Sequence, residues 1–401
     1  MAYKTLYDVQ VTGKRILVRS GFDMPIDEQG NITDDKRIRD TLPTLKFLLE
    51  YQAKVIILNH FGRPKGIEEK YKHDKIAQLL SKYLNTPVKK LDDCVGEHIE
   101  QAVMAMKAGD VIMLENVRFH SEEKDKDPNV RDAFGQKLAK LGELYVNEAF
   151  SNCHRDHASM TSIPKFLPSV AGFLVQKEIE TITKVLKNPK RPFVAIIGGA
   201  KLETKIPVIK NLLPKTDKIL LGGEMVFTFF KAKGMKIGNS LVDENLLNTV
   251  KDFLDEADDK ILLPSDIVVA DKLAPDAKIM VVAADSIPNG YMGADIGNQT
   301  VEEYLEVLSA AKTVIWNGPL GVIEIPTFSN GTNEIALALG DMEDTTIVIG
   351  GGDTAVVINK LNLEKKMTHV STGGGASLAL FGGEELPAIK ALEENAKKFW
   401  K

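Results

Sequence analysis

All nine arginines lie between Arg15 and Arg191, and the remaining stretch to Lys401, which has none, carries every double and triple glycine. The two residue types hold phosphate differently. A guanidinium is a permanently charged planar fork that matches a carboxylate or phosphate. A glycine-rich turn at a helix start instead offers bare backbone N–H groups, suited to a polyphosphate lying against the main chain. Arg37, Arg63, Arg118 and Arg155 each follow or adjoin an expected strand end, with His60 and His154 nearby. One surface arginine is ordinarily just solvated and one histidine is more often structural. Four arginines converging on one rim point to a small anionic ligand, and the scarcity of aromatic platforms favours a phosphorylated acid over nucleic acid.

Lys201 and Lys205 fall four apart in GGAKLETKIPVIKNLL, so a helix beginning there puts them on one face. Like charges at that spacing repel, and cations at a helix N-terminus oppose its dipole. A bound polyphosphate reverses both signs; the plain alternative is screening by Glu203 and solvent. GGGDT at 350–354 and STGGGAS at 371–377 end expected strands and open expected helices. Consecutive glycines lose more entropy on ordering than other residues, a cost that close approach to a phosphate chain offsets. Asp353 suits an N-cap and equally a Mg²⁺ ligand beside the phosphates.

Short β-branched runs alternate with helical patterns, as in α/β domains whose parallel sheets are covered on both faces. Strands are expected at 15–22, 54–59, 110–114, 144–147, 193–197, 218–221, 313–316 and 345–349. The segments NHFGRP, ENVRFH, NEAFSNCHRDH, GGAK, GGEM, NGPLG and GGGDT come just after them, where ligands sit in open α/β sheets. Two sheets with loaded rims imply two half-sites. In VQKEIETITKVLKN, Val175, Ile179, Ile182 and Leu186 share a helical face, and Pro189 and Pro192 stop the helix. That helix is expected to bridge two domains. LPAIKALEENAKKFW reads as a final amphipathic helix with Pro387 near its start.

A chain of 401 residues exceeds one ordinary core and suggests two domains. A net charge of -5 argues against broad nucleic-acid binding. No apolar run approaches a membrane span, and MAYKTLYDVQVTGKR has no signal-peptide core. Cys94 and Cys153 lack metal-type spacing and are expected to remain thiols in a cytoplasmic protein. No GxxxxGK[ST] loop occurs, and no GxGxxG follows a strand. His154, Arg155 and Asp156 spell HRD, but Thr161 stands where a protein kinase needs asparagine.

The segments ITDDKRIRDTLPTL, NHFGRP, LENVRFH, NEAFSNCHRDHAS, AGFLVQKEIE, PFVAIIGGAKLETKI, TVIWNGPLGVIE, IGGGDTAVV and THVSTGGGASL, in that order, make the whole chain resemble phosphoglycerate kinase. The resemblance implies two Rossmann-like domains joined by an interdomain helix and hinge. Residues 1–170 are then the phosphoglycerate domain, 171–188 the helix, 189–385 the nucleotide domain, and 386–401 a segment packing back on the first. It further implies a monomer that moves a phosphoryl group, with Mg²⁺, between 1,3-bisphosphoglycerate with ADP and 3-phosphoglycerate with ATP. Arg37, His60, Arg63, Arg118 and Arg155 are assigned to the acid. Lys201 and Lys205 are assigned to nucleotide phosphates, Gly199 to the adenine side, Asn317 and Glu324 to nucleotide and ribose, and Asp353 with Thr354 to the metal–phosphate corner. Gly351, Gly352, Gly374 and Gly375 supply backbone donors around the transferring group, with Arg37 and Lys201 as its side-chain charges.

The chain departs from the family pattern at three places. RVDFN reads Arg19, Ser20, Gly21, Phe22, Asp23; NDAFG is replaced by NEAFSNCHR; and Glu224 replaces the last glycine of GGGM. Residues 21 and 23 face one side of a strand, so Asp23 is expected to take over the hydroxyl contact. Three other readings stay open: a noncatalytic metabolite sensor, a kinase for another small carboxylic acid, and a nicotinamide enzyme without its fingerprint.

Overall fold

The computed structural model describes residues 2–400. By contacts the chain divides into two units, one running through Glu180 and resuming at Glu385, the other Thr181–Glu384. The first is built on six parallel strands, β1 (Arg15–Ser20), β2 (Lys54–Leu58), β3 (Val88–Lys90), β4 (Val111–Met113), β5 (Leu144–Glu148) and β6 (Ser169–Ala171). Their order is β3-β4-β2-β1-β5-β6. Because strand side chains alternate, Ile16 and Val18 of β1 join Val55 and Ile57 of β2 in one apolar layer, while Leu17, Ile56 and Leu58 join the other. Burial on both faces explains the continuous apolar runs.

The second unit contains β7 (Phe193–Ile197), β8 (Lys218–Leu221), β9 (Lys236–Ile237), β10 (Ile261–Leu262), β11 (Asp266–Ala270), β12 (Ile279–Ala283), β13 (Ser286–Ile287), β14 (Met292–Ile296), β15 (Thr313–Asn317), β16 (Thr346–Gly350) and β17 (His369–Val370). Its main sheet is parallel, β10-β8-β7-β15-β16-β17, beside an antiparallel sheet, β12-β11-β14. In both main sheets the chain winds outward one way, returns to the middle and winds the other way. The reversals fall between β1 and β5 and between β7 and β15. Crevices at the carboxyl ends of such strands are where α/β sheets bind ligands.

All eight expected strands are present within two residues of their predicted ends. The helix Phe173–Lys187 buries Val175, Ile179, Ile182 and Val185, so Val185, not Leu186, completes its inner face. The final helix, Pro387–Phe399, packs within the first unit. Its buried Asn395 donates to the Pro164 and Leu167 carbonyls at 2.5 and 2.8 Å and accepts from the Ser169 N–H at 2.8 Å.

Glu148 ends β5 and is fully buried. It accepts from the Leu174 N–H at 3.1 Å, capping the first turn of the helix Phe173–Lys187. Burial pushes its carboxyl up to about 8 against the pull of Thr44 and of the backbone at Leu174 and Val175. Folding then binds a proton that the unfolded chain releases near the ordinary carboxylate value. This group's contribution to stability should therefore fall as pH rises from about 4.3 toward 8. Glu148→Gln is expected to flatten that fall in chemical-denaturation profiles; an unchanged slope would contradict a buried, proton-binding Glu148.

Candidate active site

In the first unit, the loops after β1, β2 and β4 are pinned together by side chains that the fold leaves almost no freedom. Asn116 accepts from the Phe61 and Arg118 N–H groups at 3.2 and 3.1 Å and donates to the Phe61 and Tyr71 carbonyls at 2.8 and 3.0 Å. Gly62 is the node between two charges. Its N–H donates to Asp23 Oδ1 at 2.8 Å, and its carbonyl accepts from Arg118 Nη1 at 2.6 Å. With φ at +64° and the Tyr71 ring against its α-carbon, no side chain fits there.

His60 is buried between Arg19 and Asp23. Arg19 Nη2 lies 3.0 Å from His60 Nδ1, and His60 Nε2 lies 3.5 Å from Asp23 Oδ2. An arginine only donates, so Nδ1 accepts and the proton resides on Nε2, facing the carboxylate. Burial pushes the imidazole well below its usual value; Asp23 pulls it up, and the Arg19 and Arg118 charges push it further down. Burial also pushes Asp23 up, but the hydrogen bonds from His60 and Gly62 and the Arg37 charge outweigh it, holding that carboxyl well below the usual range. A neutral imidazole donating to an ionised carboxylate is the result. Arg19 is fully buried, its Nε donating at 2.8 Å to Ser159, whose hydroxyl donates to buried Glu123 at 2.6 Å.

Arg118 is the guanidinium best fitted to take an anion. It is 5 % exposed, and its Nε and Nη2 are buried without a hydrogen-bond partner. Burial, reinforced by the charges of Arg155 and Arg19, pushes its guanidinium down to about 10, still cationic at neutral pH. Unpaired buried donors on a charged group are expensive. Arg37, at the start of the helix Lys36–Glu50, reaches Ser151 Oγ at 3.3 Å and the Gly21 carbonyl at 3.5 Å. Arg155 Nε donates to His154 at 3.3 Å. Arg63 is exposed.

In the second unit, main chain packs on main chain where β7, β8 and β15 end. Gly198 N–H donates to the Asn317 carbonyl at 3.0 Å, Gly199 N–H to Pro319 at 2.8 Å, and Gly223 N–H to Leu320 at 2.8 Å. A Cβ on Gly198 would overlap the Pro319 carbonyl, and one on Gly318, where φ is +94°, the Gly198 carbonyl. Part of the glycine pattern is thus explained by close loop packing, not by phosphate alone. The mouth beside it is a cavity of ≈ 410 Å³ lined by Gly199, Gly223, Glu224, Leu320, Glu324 and Asp353 among others.

Lys201 and Lys205 do not share one environment. Lys201 is the exposed N-cap of the helix Leu202–Leu212, with extended backbone, whereas Lys205 is buried and donates to the Asn317 side chain. Burial pushes Lys205 down to about 8, with Asp353 pulling it up. Asp353 and Gly352 are exposed in the first turn of the helix Gly352–Lys360, whose N-cap is Gly351 at φ +91°. Thr354 is buried, and its hydroxyl accepts from the Gly318 N–H at 2.8 Å, so it braces the loop after β15. Gly374 caps the short helix Gly375–Phe381, where Gly375 is exposed.

Asp23, Arg37, His60 and Arg118 therefore share one cluster, and Gly199, Lys205, Asn317, Glu324, Gly351 and Asp353 surround one loop system and cavity. Residues 21 and 23 lie beyond β1, which ends at Ser20, so strand alternation does not govern them. Arg19, Asn116 and Ser151 were not singled out from sequence. An arginine directly after the apolar Ile16, Leu17 and Val18, within an expected strand, was the available signal for the first. Cys94 and Cys153 are free, buried thiols.

A sequence model of the phosphoglycerate kinase family matches residues 6–384. Phosphoglycerate kinase of Dictyoglomus turgidum is 47% identical, covering 98% of this chain and 100% of the relative. That of Aquifex aeolicus is 49% identical, covering 98% of both. Among solved structures, phosphoglycerate kinase of Pyrococcus horikoshii superposes with a TM-score of 0.88 at 32% identity, covering 99% of this chain and 100% of that one. The Coxiella burnetii structure gives 0.86 at 35% identity over 98% and 100%.

Proposed function

The chain belongs to the phosphoglycerate kinase family, and from that premise we propose how its residues carry the family's reaction. It is a phosphotransferase with a carboxyl acceptor, exchanging a phosphoryl group between ATP and 3-phosphoglycerate and, in reverse, between 1,3-bisphosphoglycerate and ADP. The family match leaves the sensor and nicotinamide readings without support.

The observation that carries the residue assignment is Arg118, a buried cation with two idle donors. In our reading, Arg63, Arg118 and Arg155 hold the acid's phosphate and carboxylate, whereas His60, both of whose ring nitrogens are already bonded, is corrected from a direct substrate ligand to a residue that orients Asp23. Asp23 fixes the His60 tautomer and offers its remaining lone pairs to the substrate hydroxyl. Gly199, Lys205, Asn317, Glu324, Gly351 and Thr354 form or brace the nucleotide cradle, the last through its bond to Gly318. Arg37, Lys201 and the N–H groups of Gly352 and Gly375 neutralise the transferring phosphoryl.

An exposed carboxylate at Asp353, beside the Lys205 charge and on the cavity wall, fits a Mg²⁺ ion that takes its other oxygens from phosphate and water. When bound, that ion spreads the negative charge of the phosphate chain. A substrate carboxylate is already ionised at neutral pH, so no general base is needed. Catalysis rests on in-line positioning and on charges aimed at the phosphoryl oxygens. The acceptor oxygen and phosphorus must approach to about 3–3.5 Å, so this reading calls for a closing motion. We assign that motion to a hinge at the helix Phe173–Lys187. No helix among the described residues is long and apolar enough to cross a membrane; a cytoplasmic monomer is the proposed state.

The test is a coupled assay of ATP-dependent consumption of 3-phosphoglycerate, run with wild type and Asp23→Ala. The variant is expected to raise KM for the acid about tenfold or more, as loss of a charged hydrogen-bond partner does, and to leave KM for ATP unchanged. Equal effects on both substrates would contradict the assignment.

A further inference from the structure

Gly21 stands where RVDFN has aspartate, and Ser151 where NDAFG has glycine. These two departures meet in space. Residue 21 follows β1 and residue 151 follows β5, the strands that flank the sheet's reversal. A Cβ on Gly21 would lie 3.2 Å from Ser151 Oγ and 3.5 Å from the Ala149 Cα. Gly21 is not among the residues with positive φ, so its backbone makes no demand for glycine. The space above it is tight, and the Ser151 hydroxyl borders that space.

The hydroxyl is in use. Arg37 Nη1 donates to Ser151 Oγ at 3.3 Å and toward the Gly21 carbonyl at 3.5 Å, while Ser151 turns its own proton to Asn152 Oδ1 at 3.4 Å. Burial disfavours the Arg37 cation, so acceptors beside it have leverage on where the guanidinium rests. We infer that Gly21 and Ser151 are a matched pair that positions Arg37, the bare α-carbon making room for a two-acceptor cradle of one carbonyl and one hydroxyl. This inference rests on the role assigned to Arg37 above.

Steady-state kinetics on Ser151→Ala, Gly21→Ala, the double variant and Arg37→Ala test it. Ser151→Ala is expected to lower kcat about tenfold, the scale of one hydrogen bond to a charged group, with KM for ATP and Tm unchanged. A serine with only a packing role would move Tm and leave kcat of the folded enzyme alone. Gly21→Ala crowds the same hydroxyl, so the double variant should be no worse than the poorer single one, because both act through one contact. Independent, multiplicative losses, or full kcat in Ser151→Ala, overturn the pairing. If Arg37→Ala loses kcat but Ser151→Ala does not, the pairing alone fails; if Arg37→Ala retains full kcat, the assigned role of Arg37 fails with it.

Discussion

Lys201→Ala should lower kcat by about 10²–10³ while changing the dissociation constant for ATP by less than about tenfold, the pattern expected when one preorganised charge at the transition state is removed. The structure makes this substitution a clean probe. Lys201 is exposed, sits at an N-cap with extended backbone, and buries no apolar stem that the fold depends on. Replacing a surface residue of this kind should shift stability by no more than about 0.5 kcal/mol. A fall in kcat therefore reports on chemistry. Lys205 offers no such clarity, because it is buried and bonded to Asn317, so its removal disturbs the loop after β15 as well as the ligand. Single-turnover rates with saturating ATP, alongside ATP titration, separate the two quantities. Unchanged kcat in Lys201→Ala would remove this residue from the electrostatic set.

Arg118→Ala is the second large effect, and its two signs differ. Truncating one partner of a buried charge pair costs about 2–5 kcal/mol, so affinity for 3-phosphoglycerate should fall at least about 30-fold. Two buried guanidinium nitrogens have no partner within the protein, and deleting them relieves a desolvation penalty that offsets the lost bond to Gly62. Ligand-free stability should therefore change little, whereas the rise in Tm that wild type shows on adding 3-phosphoglycerate should vanish. Lysine at 118 should not restore binding, since a point charge cannot reproduce the planar fork. Normal acid binding by Arg118→Ala, or a collapse of ligand-free stability without a binding defect, would contradict the anion-site reading.

Eight strands of the two main sheets were legible because residues buried on both faces leave continuous apolar runs bounded by turns. The antiparallel β11, β12 and β14 were not, since β12 is largely exposed and its IMVVA run has no matching burial. Paired strands as short as β9, β10, β13 and β17, at two residues each, leave no periodicity to read. At the sites, residue type told which groups hold anions, but not which glycines serve ligands. Gly198 and Gly318 answer to each other's backbone, while Gly352 and Gly375 are exposed at helix starts. Nor did spacing reveal that Lys205 turns inward while Lys201 stays out, because that depends on where the strand ends and the first helical turn begins. The proximity of Gly21 and Ser151 joins residues 130 positions apart, which no local pattern encodes.

The most direct test is a crystal structure of the enzyme with 3-phosphoglycerate and ADP. The acid should lie against Arg118 and Asp23, with oxygens within hydrogen-bond distance of Arg118 Nε or Nη2. The diphosphate should reach the Lys201 side chain and the turn at Gly351–Asp353, with its base in the cavity at Gly199 and Gly223. An acid bound elsewhere, with both Arg118 nitrogens still unpaired, or a nucleotide seated on the arginine-bearing unit, would contradict the account.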